Sequence, residues 1–195
     1  MALVPIALPG AEVAMDPAWL SVSAADALLA ALEARVPWEV HRIRLFGRLV
    51  DSPRLSCWIG DPGAAYTYSG ARFQPHPWPA ALLPVRERLR DETGVDFNSV
   101  LANRYRDGRD YMGWHSDNER ALGPQPAIAS LSLGGSRRFV FRNRQDASRR
   151  HALALPHGSL LLMAGDTQSL YQHSLPATAR PVAARINLTF RRIVA

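Results

Sequence analysis

Two histidines and one aspartate stand where they could share a metal ion. His115 and Asp117 are two positions apart, and residues so spaced in a strand point to the same face. His173 follows much later, at the end of a β-like segment. Two imidazoles and one carboxylate that leave coordination positions open are typical of non-haem Fe(II) oxygenases. A catalytic zinc site with the same ligands and a histidine merely hydrogen-bonded to a turn aspartate are the alternatives.

A second chemical pattern lies near the C-terminus, where polar and apolar residues alternate. One face would carry Arg185, Asn187, Thr189 and Arg191, and the other Ile186, Leu188 and Phe190. An unpaired buried guanidinium is costly, so a polar face turned inward would require an anion, and a dicarboxylate would pair with both arginines. Asn103 and Tyr105 add hydrogen-bonding groups at the same spacing. A solvated edge strand is the alternative.

The elements that must position these residues are mostly short strands. Helices are predicted over residues 24–35 and 78–93, the second ending at Gly94. An alternating segment with a basic face is predicted over residues 43–50, either as a strand or as a hairpin. Further β-like segments are 99–105, 127–133, 138–142, 151–155, 159–164, 169–173 and 186–193. Strands at this spacing, preceded by helices, predict a mainly β fold with flanking helices (α+β), either a jelly roll or a barrel.

Composition predicts one basic domain. The chain has 195 residues, 47% of them hydrophobic, which suffices for one core. All 23 basic residues are arginine and the net charge is +6, which suits phosphate recognition but also follows from a GC-rich genome. A single cysteine, Cys57, excludes an intramolecular disulfide, and we therefore expect a cytoplasmic protein. No apolar run is long enough to predict a membrane span.

Taken together, these motifs resemble the AlkB family of Fe(II)- and 2-oxoglutarate-dependent dioxygenases, most closely its nucleic-acid repair branch. The resemblance covers nearly the whole chain. Its motifs are Pro53-Arg54, Trp58-x-Gly60-Asp61, Tyr66-x-Tyr68-Ser69-Gly70, Asn103-x-Tyr105, His115-x-Asp117-x-Glu119, His173-Ser174-Leu175-Pro176 and Arg185-x-Asn187-Leu188-Thr189-Phe190-Arg191.

The resemblance implies roles for individual residues. The iron ligands would be His115, Asp117 and His173. The residues that hold 2-oxoglutarate would be Asn103, Tyr105, Arg185, Asn187, Thr189 and Arg191. The base pocket would comprise Trp58, Tyr66, Tyr68, Ser69, His115, Asn118 and Glu119, with the flipped base between Tyr68 and His115. Trp58 and Tyr66 could instead be plain core residues.

The arginine-rich run after residue 136 is a candidate phosphate surface. The expected contacts are Arg137, Arg138, Arg142, Arg144 and Arg180, with Arg149 and Arg150 nearby. A charged hairpin that is simply solvated is the alternative. If residues 43–50 form a hairpin, it would probe the nucleic acid from the opposite side.

The resemblance also implies an activity and a domain layout. The activity is oxidative demethylation of N-alkylated bases such as 1-methyladenine and 3-methylcytosine, using Fe(II), O₂ and 2-oxoglutarate and releasing succinate, CO₂ and formaldehyde. Alkylated DNA, or RNA, would be the partner of a monomeric enzyme. A double-stranded β-helix (jelly-roll) core would occupy residues 95–195, an arm and helix 1–40, and a nucleotide-recognition lid 40–80. A non-catalytic basic nucleic-acid-binding module and a same-fold oxygenase acting on a protein or small molecule are the alternatives.

Overall fold

The computed structural model describes residues 3–45, 48–64, 66–68 and 71–194. There, two antiparallel sheets face each other and helices cover the outer face of the larger sheet. The helices are α1 (Val22–Arg35), α2 (Leu83–Thr93) and the short α3 (Thr167–Leu170). The strands are β1 (Val4–Pro5), β2 (Glu12–Asp16), β3 (Arg42–Leu45), β4 (Arg48–Asp51), β5 (Leu55–Gly60), β6 (Tyr66–Tyr68), β7 (Ala71–Phe73), β8 (Ser99–Tyr105), β9 (Met112–His115), β10 (Ile128–Gly134), β11 (Arg137–Asn143), β12 (Arg150–Leu155), β13 (Leu160–Ala164), β14 (Tyr171–Leu175) and β15 (Arg185–Arg191).

The order of the strands confirms the predicted fold class. The larger sheet has seven strands in the order β1-β2-β13-β10-β15-β8-β5, and the smaller has four in the order β12-β11-β14-β9. Two separate two-stranded sheets, β3-β4 and β6-β7, lie within the predicted lid range. The protein is therefore mainly β with flanking helices and a jelly-roll core. Within the described residues, no helix is long and apolar enough to span a bilayer.

Alternation along the central strands divides the interior into two cores. In β15, Ile186, Leu188 and Phe190 pack in the cluster that includes Leu28 and Leu32 of α1. Burying each such side chain contributes about 1.5–3 kcal/mol. The opposite face of β15 points toward the smaller sheet, and a second apolar cluster fills the rest of that space. One face of this strand therefore anchors the fold, and the other is available for chemistry.

Both predicted long helices are confirmed. Ser21 caps α1 because its Oγ accepts a hydrogen bond from the Ala24 backbone N–H at 3.2 Å. A short 3₁₀ turn precedes α2, which ends at Gly94. This glycine has a φ of 71°, a left-handed conformation that terminates helices and that other residues adopt at a cost.

Two of the predicted strands differ from those in the structure. Residues 43–50 form parts of two paired antiparallel strands, β3 and β4, so the hairpin holds and the single strand is wrong. Alternation alone does not distinguish the two. Residues 169–173 begin in α3, and β14 starts only at Tyr171. The expected N-terminal arm contributes β2 to the larger sheet, where it pairs with β13. The predicted lid range likewise includes β5, which is a strand of the larger sheet.

Candidate active site

The three candidate metal ligands come together between the two sheets. One ligand atom from each of His115, Asp117 and His173 lies within 4.8 Å of the others. Nε2 of each histidine is 3.9 Å from an Asp117 carboxylate oxygen, too long for a hydrogen bond but suited to a shared cation. His115 Nδ1 is 2.9 Å from the Gly113 carbonyl, and this contact fixes the ring with Nε2 toward the site. The donor set therefore fits an iron ion bound by two imidazoles and one carboxylate.

The aspartate reaches this position from beyond the end of a strand. Sequence spacing predicted His115 and Asp117 on one strand, but β9 ends at His115. The backbone N–H of Asp117 instead donates to Oε1 of Gln168 at 2.9 Å. Ser116 Oγ donates to the Tyr171 carbonyl at 2.8 Å. Side-chain hydrogen bonds thus replace the strand ladder here, and the sequence motif alone gave no sign of Gln168.

Burial and neighbouring charges set the protonation of the ligands. Burial would raise the pKa of the Asp117 carboxyl, but Arg191 and the two histidines outweigh it and hold that pKa at about 2. Burial lowers the pKa of His173 to about 3. At neutral pH the site therefore offers a carboxylate and a neutral imidazole, which are the forms that bind metal.

The polar face of β15 lines the same cavity as these ligands. Strand pairing sets Tyr105 opposite Arg185 and Asn103 opposite Asn187. The residues predicted to hold a dicarboxylate, all of which line this cavity, are Asn103, Tyr105, Arg185, Asn187, Thr189 and Arg191. The sequence therefore predicted the inward orientation correctly, and the alternative of a solvated edge strand is wrong.

Arg185 is the largest fully buried side chain among the described residues, with 1% of its surface exposed. It donates to Ser132 Oγ at 2.9 Å and to Asn187 Oδ1 at 2.6 Å, while its Nε meets no acceptor in the described part of the chain. Burial lowers its pKa to about 10. A buried cation with no carboxylate partner among the described residues fits an anionic ligand.

The second arginine of the strand has a different partner. Arg191 Nη2 donates to Asp117 Oδ1 at 2.7 Å, and both side chains are almost fully buried. Arg191 therefore links the strand face directly to the candidate metal ligands. Two serines on the neighbouring strand β10 also bond the polar face of β15: Ser130 donates to Asn187 Oδ1, and Ser132 accepts from Arg185. The sequence did not predict either serine.

Comparisons with known proteins agree with this site. A family model described as the 2OG-Fe(II) oxygenase superfamily matches residues 12–191. The human protein named DNA oxidative demethylase ALKBH2 is 44% identical over 184 residues, which cover 87% of this chain and 69% of that protein. Human alpha-ketoglutarate-dependent dioxygenase alkB homolog 3 is 37% identical over 191 residues, which cover 93% of this chain and 66% of that protein. The chain belongs to the AlkB family of 2OG-Fe(II) oxygenases. The solved structure of OsALKBH1 has the same fold, with a TM-score of 0.63 over 96% of this chain and 98% of that chain at 17% identity.

The predicted base pocket of this AlkB-family protein is only partly described. Trp58 is 3% exposed, its Nε1 donates to the Ala64 carbonyl at 2.9 Å, and its ring packs in the second apolar cluster. Tyr66 and Tyr68 lie on β6, but their side chains, and all of Ser69, fall outside the described residues.

Two predicted pocket residues follow the metal-ligand motif. Asn118 is exposed, and Glu119 is half-buried. Glu119 Oε2 is buried and meets no hydrogen-bond donor among the described residues. This buried carboxylate oxygen therefore lacks a donor that the described residues could supply.

The predicted phosphate contacts include one buried arginine as well as exposed ones. Arg137 is not available to a phosphate, because it is 3% exposed and donates to the carbonyls of Asp107, Asp110 and Pro176 at 2.9–3.0 Å. Its guanidinium ties two loops together. Arg138 and Arg180 are exposed and line one surface pocket.

The remaining arginines lie on or near the outer face of the smaller sheet. Arg142 packs 4.3 Å from the centre of the Trp114 ring and donates to Gln172. Arg144 is exposed and donates to Ser116 Oγ. Arg150 also approaches the Trp114 ring, at 5.8 Å. Arg149 pairs with Asp146.

Proposed function

We propose that this AlkB-family dioxygenase is an oxidative DNA demethylase that removes methyl groups from bases such as 1-methyladenine and 3-methylcytosine. The observation that carries the proposal is one cavity lined by both a two-histidine, one-aspartate set and a buried arginine face. Similarity to proteins named as DNA oxidative demethylases supports the choice of DNA.

In this proposal, iron is held by His115, Asp117 and His173, and 2-oxoglutarate by Asn103, Tyr105, Arg185, Asn187, Thr189 and Arg191. With O₂, these groups supply the oxidising power that turns an inert N-methyl group into formaldehyde, with succinate and CO₂ as the other products. The protein holds and orients them. Arg185 pairs with a carboxylate at the buried end of the cavity, and Arg191 holds the Asp117 carboxylate in place.

Glu119 offers a reason for the choice of base. Adenine and cytosine carry an exocyclic amino group, which donates hydrogen bonds, and the buried Oε2 of Glu119 can accept one. A methyl group on the pairing edge weakens base pairing, so these bases leave the duplex at a lower cost. We propose that Tyr68 and His115 stack on the flipped base, with Tyr66, Ser69 and Asn118 around it.

Exposed arginines around the site provide phosphate contacts in this proposal. Arg138 and Arg180 are the first candidates because both are exposed beside one pocket, and Arg142 and Arg144 extend the basic surface. Alkylated RNA presents the same base edges and is a second substrate to test. We also propose a monomer that works in the cytoplasm.

The proposal is tested by turnover. Purified protein with Fe(II), ascorbate and 2-oxoglutarate should release equal amounts of succinate and formaldehyde from oligonucleotides containing 1-methyladenine or 3-methylcytosine. Asp117→Ala should abolish both products, whereas His76→Ala, a change at an exposed histidine that is not one of the three proposed ligands, should leave them unchanged. Full turnover by Asp117→Ala would refute the metal assignment. Succinate formation without any formaldehyde from methylated strands would refute the substrate.

A further inference from the structure

Gln168 is a buried polar residue that binds neither iron nor 2-oxoglutarate in the proposed mechanism. It lies in α3, between β13 and β14, and is 2% exposed. Its Oε1 accepts the Asp117 backbone N–H at 2.9 Å, and its Nε2 lies 3.7 Å from the sulfur of Met163. A buried amide that makes so specific a contact with a candidate metal ligand requires an explanation.

The explanation begins where the strand pairing stops. The last pair in the ladder between β9 and β14 sets His115 opposite His173. Asp117 lies beyond that pair and is 2% exposed, so its buried backbone N–H has no strand partner and needs another acceptor. The side-chain carbonyl of Gln168 takes the place of the missing strand carbonyl.

The same short segment carries the other half of the site. Gln168 lies five positions before His173 in the sequence, and the carbonyl of Tyr171 between them accepts the Ser116 hydroxyl. The loop that carries Asp117 is therefore docked twice onto the segment that supplies the third ligand. At its other end, the Asp117 carboxylate is held by Arg191. Asp117 is thus held both at its backbone N–H, by Gln168, and at its carboxylate, by Arg191.

We propose that Gln168 is a positioning residue that sets the distance between the Asp117 carboxylate and His173, and thereby the affinity and geometry of the metal site. The inference rests on the proposed assignment of these residues as iron ligands. Hydrogen-bond partners of metal ligands commonly change metal affinity by 10- to 100-fold when they are replaced. Gln168 acts through the backbone of its ligand and needs no contact with the metal.

The experiment measures metal binding without turnover. Metal-free protein is titrated with Co(II), whose visible absorption spectrum reports coordination geometry, for the wild type, Gln168→Met and Gln168→Asn. Methionine keeps the volume but removes the acceptor, and asparagine keeps the amide but is too short to reach the Asp117 N–H. Gln172→Met is the matched control, because Gln172 lies on the adjoining strand and bonds only Arg142 among the contacts described here.

We expect both Gln168 variants to bind Co(II) roughly 10- to 100-fold more weakly, with an altered spectrum, and the Gln172 variant to match the wild type. Thermal unfolding identifies the variants that fold, and either folded Gln168 variant suffices for the test. Wild-type affinity and spectrum in a folded Gln168 variant would overturn the inference. Asp117→Ala separates the two hypotheses: if it binds Co(II) as the wild type does, the ligand assignment itself is wrong.

Discussion

Replacing Arg185 with methionine should change the stability of the ligand-free protein little but should greatly weaken the binding of 2-oxoglutarate. Burial lowers the pKa of Arg185 from 12.5 to about 10, which corresponds to about 3 kcal/mol against the charged form in the ligand-free protein. Methionine removes that cost, but Ser132 and Asn187 lose a charged donor, at a cost of about 1.5–3 kcal/mol. The two effects nearly cancel, so stability without ligand should change by less than about 2 kcal/mol.

Affinity for 2-oxoglutarate should respond very differently. Removing one partner of a buried, hydrogen-bonded charge pair costs about 2–5 kcal/mol, which is about 30-fold to several thousand-fold in Kd. Urea unfolding of the metal-free protein measures the first quantity, and calorimetric titration with 2-oxoglutarate and Mn(II) measures the second. Arg192→Met, at an exposed arginine just beyond β15, is the control. Near-normal 2-oxoglutarate affinity in Arg185→Met, or a loss of stability above about 4 kcal/mol, would show the reasoning to be wrong.

Other positions give further predictions. Burial would raise the pKa of Asp110, but hydrogen bonds from Arg106 outweigh it and hold the pKa below its usual range. Its stabilising effect is therefore present above about pH 4 and lost as the pH falls through the lower folded value. Asp110→Asn should cost about 1.5–3 kcal/mol at pH 7 in denaturant unfolding, and progressively less as the pH falls below about 4. Arg137→Met should cost about 3 kcal/mol because three carbonyls, one buried and two partly buried, lose their donor, without changing the salt dependence of DNA binding. Arg138→Ala should do the opposite, with stability within about 0.5 kcal/mol and a salt slope reduced by roughly 0.7–0.9; equal slopes would exclude a phosphate contact. Trp58→Phe should cost about 2–4 kcal/mol, because a buried hydrogen bond is lost and the smaller ring leaves a cavity, and should leave kcat/KM for methylated oligonucleotides unchanged; a large fall in kcat/KM would place this ring in the base pocket.

The parts of the fold that sequence predicted best are those where side-chain period and burial coincide. In β15, strict alternation predicted both the strand and its inward polar face, because one face packs only in the apolar core and the other lines only the cavity. The helix over residues 24–35 was equally clear, because helix-forming residues and a following proline agree, although the helix begins two residues earlier and is capped by Ser21.

The parts that sequence did not predict depend on contacts distant in the chain. Alternation places Arg137 and Arg138 on opposite faces of β11, but the sequence gives no sign of the loop carbonyls that hold the buried Arg137. Gln168 was missed for the same reason, since its partner Asp117 is remote in sequence. Alternation also gave no way to divide residues 43–50 into two strands.

The candidate cosubstrate residues occupy two neighbouring strands of the larger sheet, β8 and β15, and this placement has a consequence for folding. If β15 slipped by one residue against β8 and β10, Arg185 and Arg191 would face the helices, and Leu188 would enter the cavity. Such a misaligned sheet would bury two cations in hydrocarbon and would have no surface for a dicarboxylate. The residues that bind the ligand therefore also favour the correct register of the central strands. A sheet in any register shifted by one residue would be less stable.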